Sequence, residues 1–381
     1  MNKYVKRYLI DAMSGMAQGL FASLLMGTII KTLGQQLCRL GSNVIFEFLV
    51  TAGNFATDPH VVGAAMAIGI GYAMQVPALV LFSLVAVGSA ANVTGGAGGP
   101  LAVLIIAIIA AECGCLVSKK TKIDILVTPL VTIISGALLT VLTAKYIGIA
   151  ASAFGNLIIW ATKLKPFLMG MLISALVGIA LTLPISSAAI CAALGLTGLA
   201  GGAAVAGCCA QMIGFAIMSF RENKWSGLIS QGLGTSMLQM PNIIKNPRIW
   251  IPPILTSMIT GPISTCVLKM EMNGAAVSSG MGTCGFVGQI GVITGWYSPS
   301  ETALAHGAVA ISPDFLDWFG LIMICFVLPG VLSWAFTLLL RKIGWIKDGD
   351  LSLEPASGVS AKVTVSTEKS EEDSTQENKA Q

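Results

Sequence analysis

Charge is what this chain has least of. Of 381 residues only 10% are Asp, Glu, Lys or Arg, against roughly a quarter in an ordinary soluble domain. Three stretches, 61–111, 166–220 and 318–340, contain none at all. No water-facing surface can be made from such sequence, so a soluble globular fold is excluded. Histidine is scarcer still. His60 and His306 are the only two, and neither has a carboxylate or nucleophile at a catalytic spacing. Gly-x-x-x-x-Gly-Lys-Ser/Thr is absent, as are His-Glu-x-x-His and Gly-x-Ser-x-Gly. Walker-type ATP binding and the common hydrolase signatures are therefore missing. The nine cysteines are an odd number set in apolar sequence, the closest being Cys113/Cys115 and Cys208/Cys209. Without histidines at ligand spacing they read as small buried hydrophobes, and no metal or cofactor is called for. The apolar/polar alternation of a membrane barrel is missing too.

What is present is hydrophobic residues, 55% of the chain. The uncharged runs are long enough for spans of about 20 residues, which cross a hydrocarbon core of roughly 30 Å. In lipid the backbone must satisfy itself, so these runs are helices or sheltered loops. The expected fold is an all-α integral membrane protein, a polytopic bundle of about ten spans. The 43 glycines suit close helix packing in lipid. Expected spans are 13–33, two within 61–93 broken near Pro77, 101–117, 123–144, 146–160, 167–184, 203–220, 249–269, 276–294 and 319–340. A short or re-entrant helix is expected near 44–50. Lys3, Lys6 and Arg7 beside Tyr4 and Tyr8 suit an interfacial helix before the first span.

The net charge of +4 hides an asymmetry: residues 1–347 carry 19 basic and 10 acidic side chains, and 348–381 carry three and eight. The basic excess is a topology signal, not a nucleic-acid footprint. Basic residues flank both ends of the membrane part, which puts both termini in the cytoplasm and makes the span count even. Residues 1–345 are expected to form one transmembrane unit, and 346–381 a disordered acidic tail.

Two Gly-rich segments stand out: 92–100, Asn-Val-Thr-Gly-Gly-Ala-Gly-Gly-Pro, and 277–283, Val-Ser-Ser-Gly-Met-Gly-Thr. Their likeness at an offset of 184, with Gly15-Met16 and Gly170-Met171 upstream, suggests an internal duplication with an insertion near 221–248. Glycine and proline weaken a helix at such points, and freed backbone at membrane depth can line a polar cavity. Asn92, Thr94, Ser278, Ser279 and Thr283 would offer hydrogen bonds to a small polar solute. Close helix packing is the alternative reading of the same glycines. Glu271, if buried, is costly without a partner or a function and would accept two hydroxyls, with Asn273 beside it; pairing with Lys269 or a loop position are its alternatives. Arg221, Lys224, Lys245 and Arg248 form a basic set suited either to docking an acidic partner or to topology alone.

Several stretches resemble one known family. They are 181–189, Leu-Thr-Leu-Pro-Ile-Ser-Ser-Ala-Ala; 208–215, Cys-Cys-Ala-Gln-Met-Ile-Gly-Phe; 232–253, which contains Gln-Met-Pro-Asn-Ile-Ile-Lys-Asn-Pro; and 280–289, Gly-Met-Gly-Thr-Cys-Gly-Phe-Val-Gly-Gln. The chain is similar over about 5–345 to the second EIIC family of the bacterial phosphotransferase system, which also holds regulators resembling the perfringolysin O regulator. The resemblance implies a sugar permease of the bacterial plasma membrane, a homodimer by family type, and separate IIB and IIA partners that bring the phosphoryl group. The chain carries no IIA or IIB domain and lacks the Gly-Ile-Thr-Glu motif of glucose-type permeases, so their sugar ligands do not transfer. Within or beside the matched motifs, Gln211, Gln239, Asn242, Glu271, Asn273 and Thr283 are the expected solute-binding residues on chemical grounds. A gradient-driven carrier and a solute-sensing regulator are the other readings.

Overall fold

The computed structural model describes Tyr4, residues 6–41 and residues 43–353. Lys3 and the stretch 354–381, expected to be tail, lie outside the described residues. Among the described residues the fold is all-α, with a single isolated bridge between Gly198 and Met272. We number the main helices α1 Lys6–Arg39, α2 Val44–Ala56, α3 Pro59–Ala73, α4 Ala78–Gly95, α5 Gly99–Val117, α6 Asp124–Thr162, α7 Pro166–Thr182, α8 Ser187–Ala193, α9 Gly198–Met218, α10 Phe220–Ile229, α11 Met240–Lys245, α12 Ile251–Pro262, α13 Val287–Tyr297, α14 Glu301–Ala305 and α15 Phe315–Lys342.

Five helical stretches are long and apolar enough to cross a membrane, with shorter apolar helices besides. One of the five, Ala78–Val117, is two antiparallel helices. Val80 of α4 packs on Gly114 of α5, so the chain reverses at 96–98. Gly96 has φ +52 and ψ −119 there, a conformation that only glycine takes freely. Conversely, the two spans expected over 123–144 and 146–160 are one helix, α6, of 39 residues. Nothing between them breaks the pattern, because Lys145 is exposed and can extend toward a polar layer. At 1.5 Å per residue α6 is about 58 Å long, so it leans in the membrane or leaves it. The expected span at 276–294 is broken as well: a 3-10 segment, Ala276–Gly280, and an irregular turn precede α13. The Gly15-Met16 and Gly170-Met171 pairs behind the suggested duplication both sit at helix crossings, Gly15 against Gly69 and Gly170 against Gly261.

The centre of the bundle is α9. Its residues 201–212 are all buried, and α7, α12 and α15 pack around it. The sequence, Gly-Leu-Ala-Gly-Gly-Ala-Ala-Val-Ala-Gly-Cys-Cys-Ala, explains this, since small side chains let backbones approach. A β-carbon on Gly207 would fall on the carbonyl of Ser174 in α7, and one on Gly202 on the carbonyl of Met270. Hydroxyls tie the surrounding helices together. Ser174 donates to the Ser257 carbonyl at 2.5 Å, Ser333 to Thr256 Oγ1 at 2.9 Å, and Thr265 to the Pro166 carbonyl at 2.9 Å.

Residues 346–353, expected to open the tail, instead fold back onto the bundle. Ile346 is 2% exposed and Leu351 is fully buried. The segment 6–11 packs on α11, Arg7 pairs with Glu112 at 2.9 Å, and Arg341 bridges Glu222 and Asp348, each at 2.6 Å. Both described ends of the chain therefore meet at one end of the bundle. Arg7, Arg221, Lys224, Lys245, Arg248, Arg341, Lys342 and Lys347 gather there, which we call the basic end.

Replacing Gly207 by Val should cost about 1–3 kcal/mol through overpacking of the α7–α9 contact. The check is the melting temperature of the purified protein in detergent. It should fall for Gly207→Val and hold for Gly41→Val, where nothing lies within 4 Å.

Candidate functional site

Three interruptions of the helical pattern converge beside α9. The first is the 96–98 turn. The second follows α7, where Pro184 forbids a helical Leu183, which is extended at φ −68 and ψ 158. The chain then turns back through Ser186, whose Oγ accepts from the Ala189 N–H at 3.2 Å and starts α8. The third runs from Ala276 to Phe286. Gly282 and Gly285 take φ of +54 and +51, and Phe286 takes +58, an outlier for a bulky residue that only a constraining environment sustains.

Adjacent serines join the three. The Ser186 N–H donates to the Ala97 carbonyl at 2.9 Å, and Ser187 Oγ donates to the Gly280 carbonyl at 2.7 Å. A side chain on Gly282 would strike Cys208 of α9, so the third break lies directly on the central helix. Ser279 Oγ donates to the Leu196 carbonyl at 2.6 Å, and Thr283 Oγ1 has only the thioether of Met212 at 3.5 Å. Ser278 is buried against Gly291.

Two glutamines carry unspent hydrogen-bonding capacity here. Gln211 on α9 is fully buried. Its Oε1 accepts from Trp250 Nε1 at 2.9 Å and Thr182 Oγ1 at 3.2 Å, and Thr182 meets Ser236 Oγ at 2.8 Å. Its Nε2 has no partner. Gln289 at the start of α13 donates weakly to Cys209 Sγ at 3.3 Å, and its Oε1 is buried without a partner. An unmet buried amide costs about 1–3 kcal/mol, so a donor and an acceptor held open on either side of α9 are suited to a polar ligand. The site offers amides and hydroxyls on irregular backbone, with no clustered carboxylates among the described residues. Among the described residues no group of His, Cys, Asp and Glu could hold a metal ion.

The expected solute ligands divide. Gln211, Ser278, Ser279 and Thr283 fall at the convergence. Asn92 lies at its edge, where Nδ2 donates to the Pro59 carbonyl at 2.7 Å and ties α4 to α3. Thr94 is exposed. Glu271 is exposed rather than buried and accepts from Asn273 Nδ2 at 2.9 Å. The loop position follows from the 198–272 bridge, which turns the chain at the far end of α9. Gln239 and Asn242 are elsewhere. Gln239 Nε2 donates to the Leu351 carbonyl at 3.0 Å and Asn242 Nδ2 to the Ser352 carbonyl at 2.9 Å. With Asn223, which binds Leu351 and Leu353, and Asn246, which binds Trp345 and Asp350, they fasten the returning C-terminal segment. Lys245 and Arg248 flank that lashing, Arg248 stacked 5.2 Å from the Trp345 ring. Lys224 is at φ +51 in a kink of α10, and Arg221 borders an apolar groove. Sequence reasoning missed Thr182, Ser186, Ser187, Ser236, Trp250 and Gln289. The Pro184-Ile-Ser-Ser signal was visible, but only tertiary contact shows what the serines join.

Broken helices meeting around a buried polar site in an otherwise apolar bundle define the class of multi-pass membrane transport proteins. The family model for the phosphotransferase system EIIC component matches residues 10–353, and the chain belongs to that family. It is a permease component of the phosphotransferase-system type. No curated protein and no solved structure matches it.

If Gln239 and Asn242 serve the fold at the basic end, Gln239→Leu should loosen residues 346–353. Limited proteolysis should then cut there several-fold faster, while solute binding stays within twofold of the parent.

Proposed function

We propose that the chain is the membrane (IIC) subunit of a phosphoenolpyruvate-dependent sugar phosphotransferase system. It holds a sugar where the three helix breaks meet, for phosphorylation by a separate IIB protein. The observation that carries this reading is the pair of open amide groups, Gln211 Nε2 and Gln289 Oε1, buried near the helix breaks in an EIIC-family chain. Sugar hydroxyls both donate and accept, so a sugar can meet the open donor of Gln211 or the open acceptor of Gln289. Thr182, Thr283, Ser278 and Ser279 would complete its contacts.

Phosphoryl transfer depends mainly on positioning and on charge stabilisation. The chain would supply the positioning and IIB the phosphoryl group, itself charged through IIA. The basic end is the reading's docking face, with Lys245 and Arg248 beside the lashed C-terminal segment as the cations that meet a phosphorylated or acidic partner. Both termini would then be cytoplasmic, in keeping with the positive-inside rule. A homodimer and the cell membrane remain the family-type setting.

The test uses purified protein in vesicles with a radiolabelled sugar panel, with and without phosphoenolpyruvate and the soluble components. Phosphorylated sugar that appears only with the full relay supports the proposal; accumulation of unmodified sugar without it favours a gradient-driven carrier, and no flux at all favours a regulator. For the site itself, Gln211→Met keeps the volume and loses the amide. One lost hydrogen bond of about 0.5–1.5 kcal/mol lowers sugar affinity by about 2- to 13-fold, measured by equilibrium binding at normal membrane abundance. Glu271→Gln should leave affinity unchanged.

A further inference from the structure

Away from the site just described, the basic end carries a groove with no assigned role. It is a cavity of about 390 Å³ between the end of α9, α10 and the last turns of α15. From α15 it takes Trp334, Thr337, Leu338 and Arg341, the i, i+3, i+4, i+7 stripe of one helical face. The other wall is Phe220, Arg221, Trp225 and their neighbours. Trp334 is 53% exposed and Trp225 68%, Trp225 standing edge-on to Phe220 at 5.5 Å. The groove is apolar along its length and cationic at one end.

Position along α15 says what surrounds it. Trp318, packed on Trp296 at 5.0 Å, marks the far end of the helix, and Arg341 lies 23 residues on, about 35 Å at 1.5 Å per residue. That is close to the thickness of the hydrocarbon core. Trp334 therefore lies about 10 Å inside the level of Arg341, at acyl-chain depth, while Arg221 and Arg341 stand at headgroup depth.

The charge at that level is positive. Arg341 is matched by Glu222 and Asp348. Arg221, on the rim, is exposed and has no carboxylate partner among the described residues; Lys224, three residues on, and Lys342, next to Arg341 in sequence, are exposed too. An apolar slot with aromatic walls, opening sideways to hydrocarbon and headed by unpaired cations, matches a molecule with an acyl chain and an anionic head. We propose that this groove is a binding site for an anionic diacyl phospholipid of the surrounding bilayer, the acyl chain lying along Trp225, Leu338 and Trp334 and the phosphate on Arg221. Free phosphate would leave the apolar length empty, and a soluble acidic protein could not reach Trp334 at its depth. The assignment stands independently of the sugar reading, and it takes Arg221 away from the partner-docking set.

The test is quenching of tryptophan fluorescence by brominated acyl chains, with the full chain in phosphatidylcholine vesicles containing a graded fraction of phosphatidylglycerol. Bromine is placed on one lipid or the other. A component of the fluorescence, lost in Trp334→Phe, should be quenched with about fivefold preference for brominated phosphatidylglycerol, the effect of one cation near the membrane surface. Arg221→Gln should bring the preference to near unity without altering total quenching by the bulk bilayer. Leu338→Phe, which narrows the slot, should weaken the component whatever the headgroup. Equal quenching by the two brominated lipids, or a preference that survives Arg221→Gln, overturns the proposal.

Discussion

The contact of α9 with its neighbours, backbone against backbone, is the constraint on which the rest depends. Apolar side chains gain nothing by leaving one apolar medium for another, so helix association in lipid relies on close packing and hydrogen bonds between helices. Gly202 and Gly207 supply the first, and Ser174, Thr256, Thr265 and Ser333 supply the second around the ring of α7, α12 and α15. Because α9 is so slim, the segment 276–286 can reach the centre of the bundle and touch it at Cys208, and Ser186 and Ser187 link the other two breaks to that segment.

Much of this was legible beforehand. The scarcity of charge dictated a helical membrane protein, and the glycines and Pro100 marked the break at 96–98 correctly. Other features needed three dimensions. The two spans expected across Lys145 are one helix, because a single exposed lysine does not interrupt α-helical hydrogen bonding. Glu271 looked costly only on the assumption of depth, and the pairing of Met272 with Gly198 places it in an exposed turn. Gln239 and Asn242 were polar residues in a distinctive motif, but their donors are spent on carbonyls more than a hundred residues away. No spacing rule reveals such a partner. Ser186 and Ser187 were overlooked for the same reason, since their importance lies in which strands of chain they join.

The fold separates two tasks. Polar capacity inside the bundle is left open at the meeting of the breaks, while amides at the basic end are saturated by the returning segment 346–353. Gln239, Asn242 and Asn246 of the long 232–253 motif clamp that segment through its carbonyls and Asp350. A surface of fixed shape and positive charge is what a docking partner or an anionic lipid headgroup needs. An interior with unsatisfied polar groups is what a passing solute needs.

The central claim is that the three breaks form one solute site around α9. Hydrogen exchange measured on the full chain, with and without the transported sugar, tests it most directly. The account predicts that sugar slows exchange at 183–189 and 278–286 together, and leaves 239–246 as it was. Protection at 239–246 with no change at the two breaks would contradict it.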